Sequence, residues 1–158
     1  MEKARTIEAL NTLIVINNDR IEGYKTATAE AKETDLKELF SDLCQTSIDC
    51  RKELTQEVIR LGGTPDEGTR ITGKFYRAWM NIKVALSTND RQTILESCEF
   101  GEDVALNTYK KVLIQDYPDT NTTEQDMLNK QYALLKTDHD KVKKLRDLVR
   151  VESEATNH

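Results

Sequence analysis

Two carboxylates of this chain stand where a helix should be apolar. Between Ile94 and Tyr109, the residues Leu95, Glu99, Glu102, Leu106 and Tyr109 follow one another at spacings of four, three, four and three. On a helix such positions share one face. An ionised carboxylate in an apolar interior is costly unless it is paired, so Glu99 and Glu102 call for a cation, a metal ion or a hydrogen-bonding network opposite them. Three further residues are candidates to meet them. Glu22 ends the line Leu10, Ile14, Asn18, Glu22, and Glu53 follows Cys50 along one edge of a second helix, with Asp49 one turn before and Glu57 one turn after. His139 falls within Leu128, Tyr132, Leu135, His139, Val142, Leu145 and Val149. Each has a plainer reading as well: Glu22 as a boundary residue, Glu53 as part of a solvated face with Arg51 and Lys52, His139 as a hydrogen-bonded core residue.

Such residues need long helices to hold them, and the chain is written for helices. The pattern predicts a first helix over about 3–32, with a core stripe of Ile7, Leu10, Ile14, Asn17, Ile21 and Tyr24 and no Pro to break it. Thr34 or Asp35 is the expected N-cap of a second helix, about 35–61, with the stripe Leu36, Leu39, Phe40, Leu43, Ser47, Cys50, Leu54, Val58 and Leu61. Gly62 and Pro65 then end it, and GGTPDEGTRIT is the one long connection. A connection of this length can run the length of a bundle, whereas the junctions near 33–35 and 116–121 suit tight reversals. A short helix over 73–87 carries Phe75, Trp79, Ile82 and Leu86, and reads as a cover for the core, with a flap or a self-association surface as alternatives. Ser87 to Asp90 interrupts it and supplies a new N-cap. A third long helix follows over 90–114 and a fourth over 122–151, the last starting at capping-box spacings (Asn121 with Glu124, Thr123 with Asp126). The Lys and Arg residues at 141, 143, 144, 146 and 150 read as a solvated face near a helix C-terminus.

Composition limits the chemistry. At 158 residues and 18.1 kDa, a single domain over 1–158 is expected, with enough chain to bury a core without staples. A hydrophobic share of 37% beside 32% charged residues, with six Gly and two Pro, suits long amphipathic helices rather than strands. A net charge of -5 and a pI near 5.2 argue against a nucleic-acid partner. The N-terminal stretch MEKARTIEALNTLIV lacks the continuous apolar run of a signal peptide, and no segment approaches the roughly 20 apolar residues of a membrane span, so a cytoplasmic location is expected. Cys44, Cys50 and Cys98 are an odd number without C-x-x-C spacing, which suits buried small hydrophobes better than a disulfide framework or zinc site. GGTPDEG lacks the Lys and the spacing of a phosphate loop, and two histidines, one of them His158, leave little for a nucleophilic triad.

Four long helices, a long connection between the second and third, and inward-leaning acids on three of them with a His on the fourth resemble the ferritin-like superfamily. More closely, INNDRIEGY (16–24), LGGTP (61–65), FGEDVALNTY (100–109) and TDHDKVKKLRD (137–147) resemble a bacterial family of ferritin-like four-helix bundles known only as a domain of unknown function. The resemblance implies an all-α, ferritin-like four-helix bundle with a long crossover and a short extra helix before the third. It also implies a di-metal site in the bundle interior, usually iron, with Glu22, Glu53, Glu99, Glu102 and His139 as the ligands. The chain departs from the full pattern at Lys136, where Glu-x-x-His needs Glu, and at Gln56, three residues after Glu53, where His is expected. A site of these residues is oxygen-rich and suits iron, manganese or magnesium better than copper or zinc. The alternatives are a structural or protein-interaction bundle that has lost its metal, with His139 and Lys136 pairing with the acids, and an oxidase acting on a small substrate. A homo-oligomer, a dimer in its simplest form, is the expected assembly.

Overall fold

A computed structural model describes residues 3–68, 73–117 and 122–156, with backbone alone at 73–76, 153 and 156. Among the described residues there are five helices and no strand: α1 (Lys3–Glu30), α2 (Thr34–Arg60), α3 (Gly73–Thr88), α4 (Arg91–Asp116) and α5 (Thr123–Thr156). Their bounds follow the hydrophobic period closely. No helix among these residues is long and apolar enough to cross a membrane. The caps are local in origin. Asp90 accepts a hydrogen bond from the Thr93 backbone at 3.3 Å to start α4, and Thr122 accepts from the Gln125 backbone at 3.1 Å to start α5. The N-cap of α2 is Glu33 rather than Thr34 or Asp35, and its side chain does not cap; Glu33 and Asp35 instead hold Arg91 across the junction. Gly62 takes the left-handed conformation (φ 84°) that closes α2, as its position predicts. The rest of the long connection (69–72) and the turn at 118–121 lie outside the described residues, as does the side chain of Phe75.

Cross-helix hydrogen bonds fix the directions of the four long helices. Cys44 and Arg51 of α2 pair with Ile21 and Asn18 of α1, so these two helices run antiparallel. Tyr109 with Gln131, Asp103 with His139 and Glu96 with Arg150 make α4 and α5 antiparallel. Arg5 with Asp116, Asn17 with Tyr109 and Arg20 with Glu102 do the same for α1 and α4. The helices α2 and α4 therefore point the same way, and the chain between them must return along the length of the protein. Part of that return is α3. Its Trp79 lies over Gly23, where a Cβ would come within 3.2 Å of the indole, and its Ala78 lies over Gly101, where a Cβ would come within 3.7 Å. Gly23 of α1 thus admits the Trp79 ring, whereas at Gly101 a Cβ would make only an ordinary contact; Trp79 packs on the core rather than presenting itself to solvent.

The apolar interior is in two parts. One cluster gathers Tyr24, Leu36, Phe40, Leu43, Ile82, Leu95, Cys98 and Val142; the other gathers Leu10, Leu13, Leu54, Val58, Leu106, Tyr109, Leu128 and Leu135. Each fully buried Leu contributes on the order of 1.5–3 kcal/mol. The cysteines are free and buried, in agreement with a role as small hydrophobes. Between the two clusters the same helices carry buried polar side chains, and it is there that the chemistry of the chain is concentrated.

Candidate functional site

Four helices each send one polar residue to the middle of the protein. Arg20 of α1, Ser47 of α2, Glu102 of α4 and Asp138 of α5 are buried, and the guanidinium of Arg20 is fully out of solvent. Arg20 Nε donates to Glu102 Oε2 at 2.9 Å and Nη2 to Oε1 at 2.7 Å, a two-pronged pairing that matches the guanidinium plane to the carboxylate plane. Its Nη2 also reaches Asp138 Oδ2 at 3.4 Å, and Nη1 donates to Ser47 Oγ. The Tyr24 hydroxyl donates to Glu102 Oε2 at 3.0 Å, while its ring lies beneath the guanidinium at 5.5 Å and stacks on Phe40 at 5.8 Å. Burial works against the charge on Arg20, but Glu102 first, with Tyr24 and Asp138, more than offsets it and holds the guanidinium ionised above its ordinary range. Burial pushes the Asp138 carboxyl up, and Arg20 opposes this only in part. Burial and the neighbouring Glu102 carboxylate also keep the Tyr24 hydroxyl and the Cys98 thiol protonated.

A second layer, of amide and hydroxyl side chains that ends at Glu53, lies one turn away. Asn17 donates to Tyr109 Oη at 2.9 Å, the Tyr109 hydroxyl donates to Gln131 Oε1 at 2.7 Å, and Gln131 Nε2 donates to the Cys50 carbonyl and to Glu53 Oε1, both at 3.3 Å. Cys50 beside this chain is an inert thiol, pushed up to about 12 by burial.

The residues expected as ligands divide. Glu102 is in the interior, as its stripe predicts. Glu99 lies at the edge, half-buried, and takes a hydrogen bond from Arg146 of α5. Glu22 is exposed on α1, and Glu53 is exposed on α2 apart from its bond to Gln131. His139 lies one position off the interior line, in the seam between α4 and α5, with Nε2 2.6 Å from Asp103 Oδ1 and Nδ1 3.3 Å from Asp140 Oδ1. Lys136, weighed as a partner of the acids, pairs with Asp140 at 2.9 Å. Among the described residues, the carboxylate and imidazole atoms that converge are those of Glu99, Asp103 and His139, all within 4.8 Å of one another. Arg20, Asp138 and Gln131 were missed by the pattern of acids. Their signal is the same four-three spacing, present as Leu13, Asn17, Arg20, Tyr24 on α1 and as Leu128, Gln131, Leu135, Asp138, Val142 on α5.

Residues 5–115 match a family described as a domain of unknown function, DUF2383. The chain belongs to that family. No curated protein matches it. The DUF2383 match takes in Arg20, Ser47 and Glu102, whereas Asp138 and His139 come from α5, beyond the matched residues. Among the described residues, a groove of about 860 Å³ lies between the first half of α1 and the second half of α4, lined by Arg5, Glu8, Thr12, Val104, Thr108 and Lys111 among others. Arg5 is tied to Asp116 there, and the lining is mostly charged and polar at its rim, with Ala9, Val104, Val112 and Ile114 between.

Proposed function

We infer that this DUF2383 chain is a non-catalytic bundle of ferritin-like architecture, a structural and interaction module whose interior cation is its own Arg20 in place of iron or manganese. The observation that carries the reading is the arginine cradle. Both oxygens of Glu102 are committed to Arg20 and Tyr24, and Ser47 and Asp138 complete the shell around the same guanidinium. Such a centre does not fit a metal pair. An ion bound there would have to share Glu102 and Asp138 with the buried guanidinium that they already serve, and a second positive charge in a low-dielectric interior is strongly disfavoured.

The ferritin-like assignment is supported by the helix directions: two antiparallel pairs, α1 with α2 and α4 with α5, joined by a return connection that includes α3. The interaction role is the open half of the reading: Val84 of α3 and Ile114 of α4 are apolar side chains left 62% and 70% exposed, at which a partner would be sought. Metal analysis of the wild type beside Glu102→Gln, both produced with added Fe(II) and Mn(II), tests the reading. The expected result is that metal content does not depend on Glu102. A stoichiometric iron or manganese signal lost in Glu102→Gln overturns it.

A further inference from the structure

We propose that the seam between α4 and α5 holds a divalent transition-metal site made of Glu99, Asp103 and His139, separate from the Arg20 centre. Glu99 and Asp103 are four residues apart on α4 and project side by side, and His139 of α5 points its Nε2 between them. The three ligand atoms lie within 4.8 Å of one another. Around an ion with bonds of about 2.0–2.2 Å they need to stand roughly 3–3.5 Å apart, so small side-chain rotations suffice. One imidazole and two carboxylates leave one position of a tetrahedron open to water. Asp103 is half exposed, which gives the ion a way in, while His139 is 11% exposed and held.

What distinguishes this group from an ordinary acidic patch is the support behind the imidazole. Nδ1 of His139 faces Asp140 Oδ1 at 3.3 Å, and Asp140 is itself held by Lys136 at 2.9 Å. Nε2 shares a proton with Asp103 in the ion-free protein; an ion displaces that proton, and Asp140 then stands ready to accept from Nδ1–H and orient the ring, as carboxylates do behind metal-bound imidazoles. Arg146 occupies Glu99 at present and competes with the ion, yet it is not stranded by leaving: its Nη2 and Nε also bond Asp147 Oδ1 at 2.8 and 3.3 Å. The imidazole, beside two carboxylates, favours Zn²⁺ over Mn²⁺ in line with the general affinity order, and disfavours Mg²⁺, which takes oxygen ligands.

Calorimetric titration of the full chain with Zn²⁺, Mn²⁺ and Mg²⁺, backed by the visible absorption of Co²⁺, tests the site. One Zn²⁺ per chain is expected, with His139→Ala and Asp103→Asn each weakening it at least about 10-fold and Asp140→Asn weakening it by about 10-fold through the imidazole. Arg146→Gln is expected to tighten binding, a change that a merely structural group would not produce, and Glu102→Gln to leave it unaltered. Zinc binding that persists in the Asp103→Asn and His139→Ala proteins, or no binding by the wild type and Arg146→Gln, overturns the proposal. Loss of binding on Glu102→Gln, with the fold intact by circular dichroism, would instead place the ion in the interior and refute the arginine-centre reading.

Discussion

Replacing Glu102 with Gln removes one charge from the interior while keeping size and shape. Glu102 accepts three hydrogen bonds, two from Arg20 and one from Tyr24, and is 2% exposed, so solvent screens little of the loss. The substituted glutamine side chain can accept through its oxygen only, and its amide must turn a donor toward Arg20 or Tyr24. Arg20 then keeps Asp138 at 3.4 Å as its one carboxylate partner. Removing one member of a buried pair costs about 3–5 kcal/mol because the other charge remains buried. For a chain of this size that lowers the melting temperature by roughly 6–20 °C. The assay is urea unfolding of wild type, Glu102→Gln, Arg20→Met and the double variant. Since Arg20→Met and Glu102→Gln remove the two halves of one interaction, the double variant should be more stable than the summed costs allow, by at least about 2 kcal/mol. A cost below about 1 kcal/mol for Glu102→Gln, or additive costs in the cycle, refutes the claim that this pair organises the interior.

Asp138→Asn should change the pH dependence of stability. The folded carboxyl is held above its ordinary value, so its contribution is fully present below the ordinary aspartate range and is lost as pH rises through the raised folded value; relative to wild type, Asp138→Asn therefore gains stability over that window in urea titrations. Asp35, lowered by its hydrogen bond to Arg91, has the opposite sign: its small, half-exposed contribution is present above the ordinary carboxylate value and lost as pH falls toward the folded one. Gly101→Ala should raise stability by about 0.5–1 kcal/mol, because a Cβ there makes an ordinary 3.7 Å contact with Ala78, whereas Gly23→Ala should gain less because its Cβ crowds Trp79; thermal unfolding compares them. Tyr109→Phe leaves the buried Gln131 oxygen without its donor and should cost about 1–3 kcal/mol by chemical denaturation.

The helices, their bounds and the long connection were legible because they depend on residue period and on Gly62, Pro65 and Asp90, all of them local features. The need for a cation, a metal ion or a hydrogen-bonding network opposite Glu102 was legible too, since a carboxylate on a core stripe has to be satisfied, although the same reading placed Glu99 inside with it. Its source was not. An arginine reads as a surface residue, and the stripe drawn through Ile14, Asn17 and Ile21 passes it by one position. In the structure α1 is enclosed on most sides from Leu13 to Tyr24, by α2, α3, α4 and the connection after α2, so only the narrow line of Val15 and Glu22 is left open there to contrast with the core.

The displacement of His139 has the same physical origin. A stripe through a long packed helix advances by alternate steps of three and four, so Leu128, Leu135 and Val142 are common to two readings. One passes through Tyr132 and His139, the other through Gln131 and Asp138. Choosing the more apolar or more ligand-like member at each fork selects the first. The helix takes the second, since Gln131 meets the Tyr109 hydroxyl and Asp138 meets Arg20, and both are satisfied only in the middle of the protein. Polarity decides a fork correctly where the interior is apolar and misleads where a polar layer crosses it. Here, then, the buried acids are better matched by counting the cations on interior forks of the other helices, and Arg20, three residues after Asn17 and four before Tyr24, is the one that α1 places on such a fork.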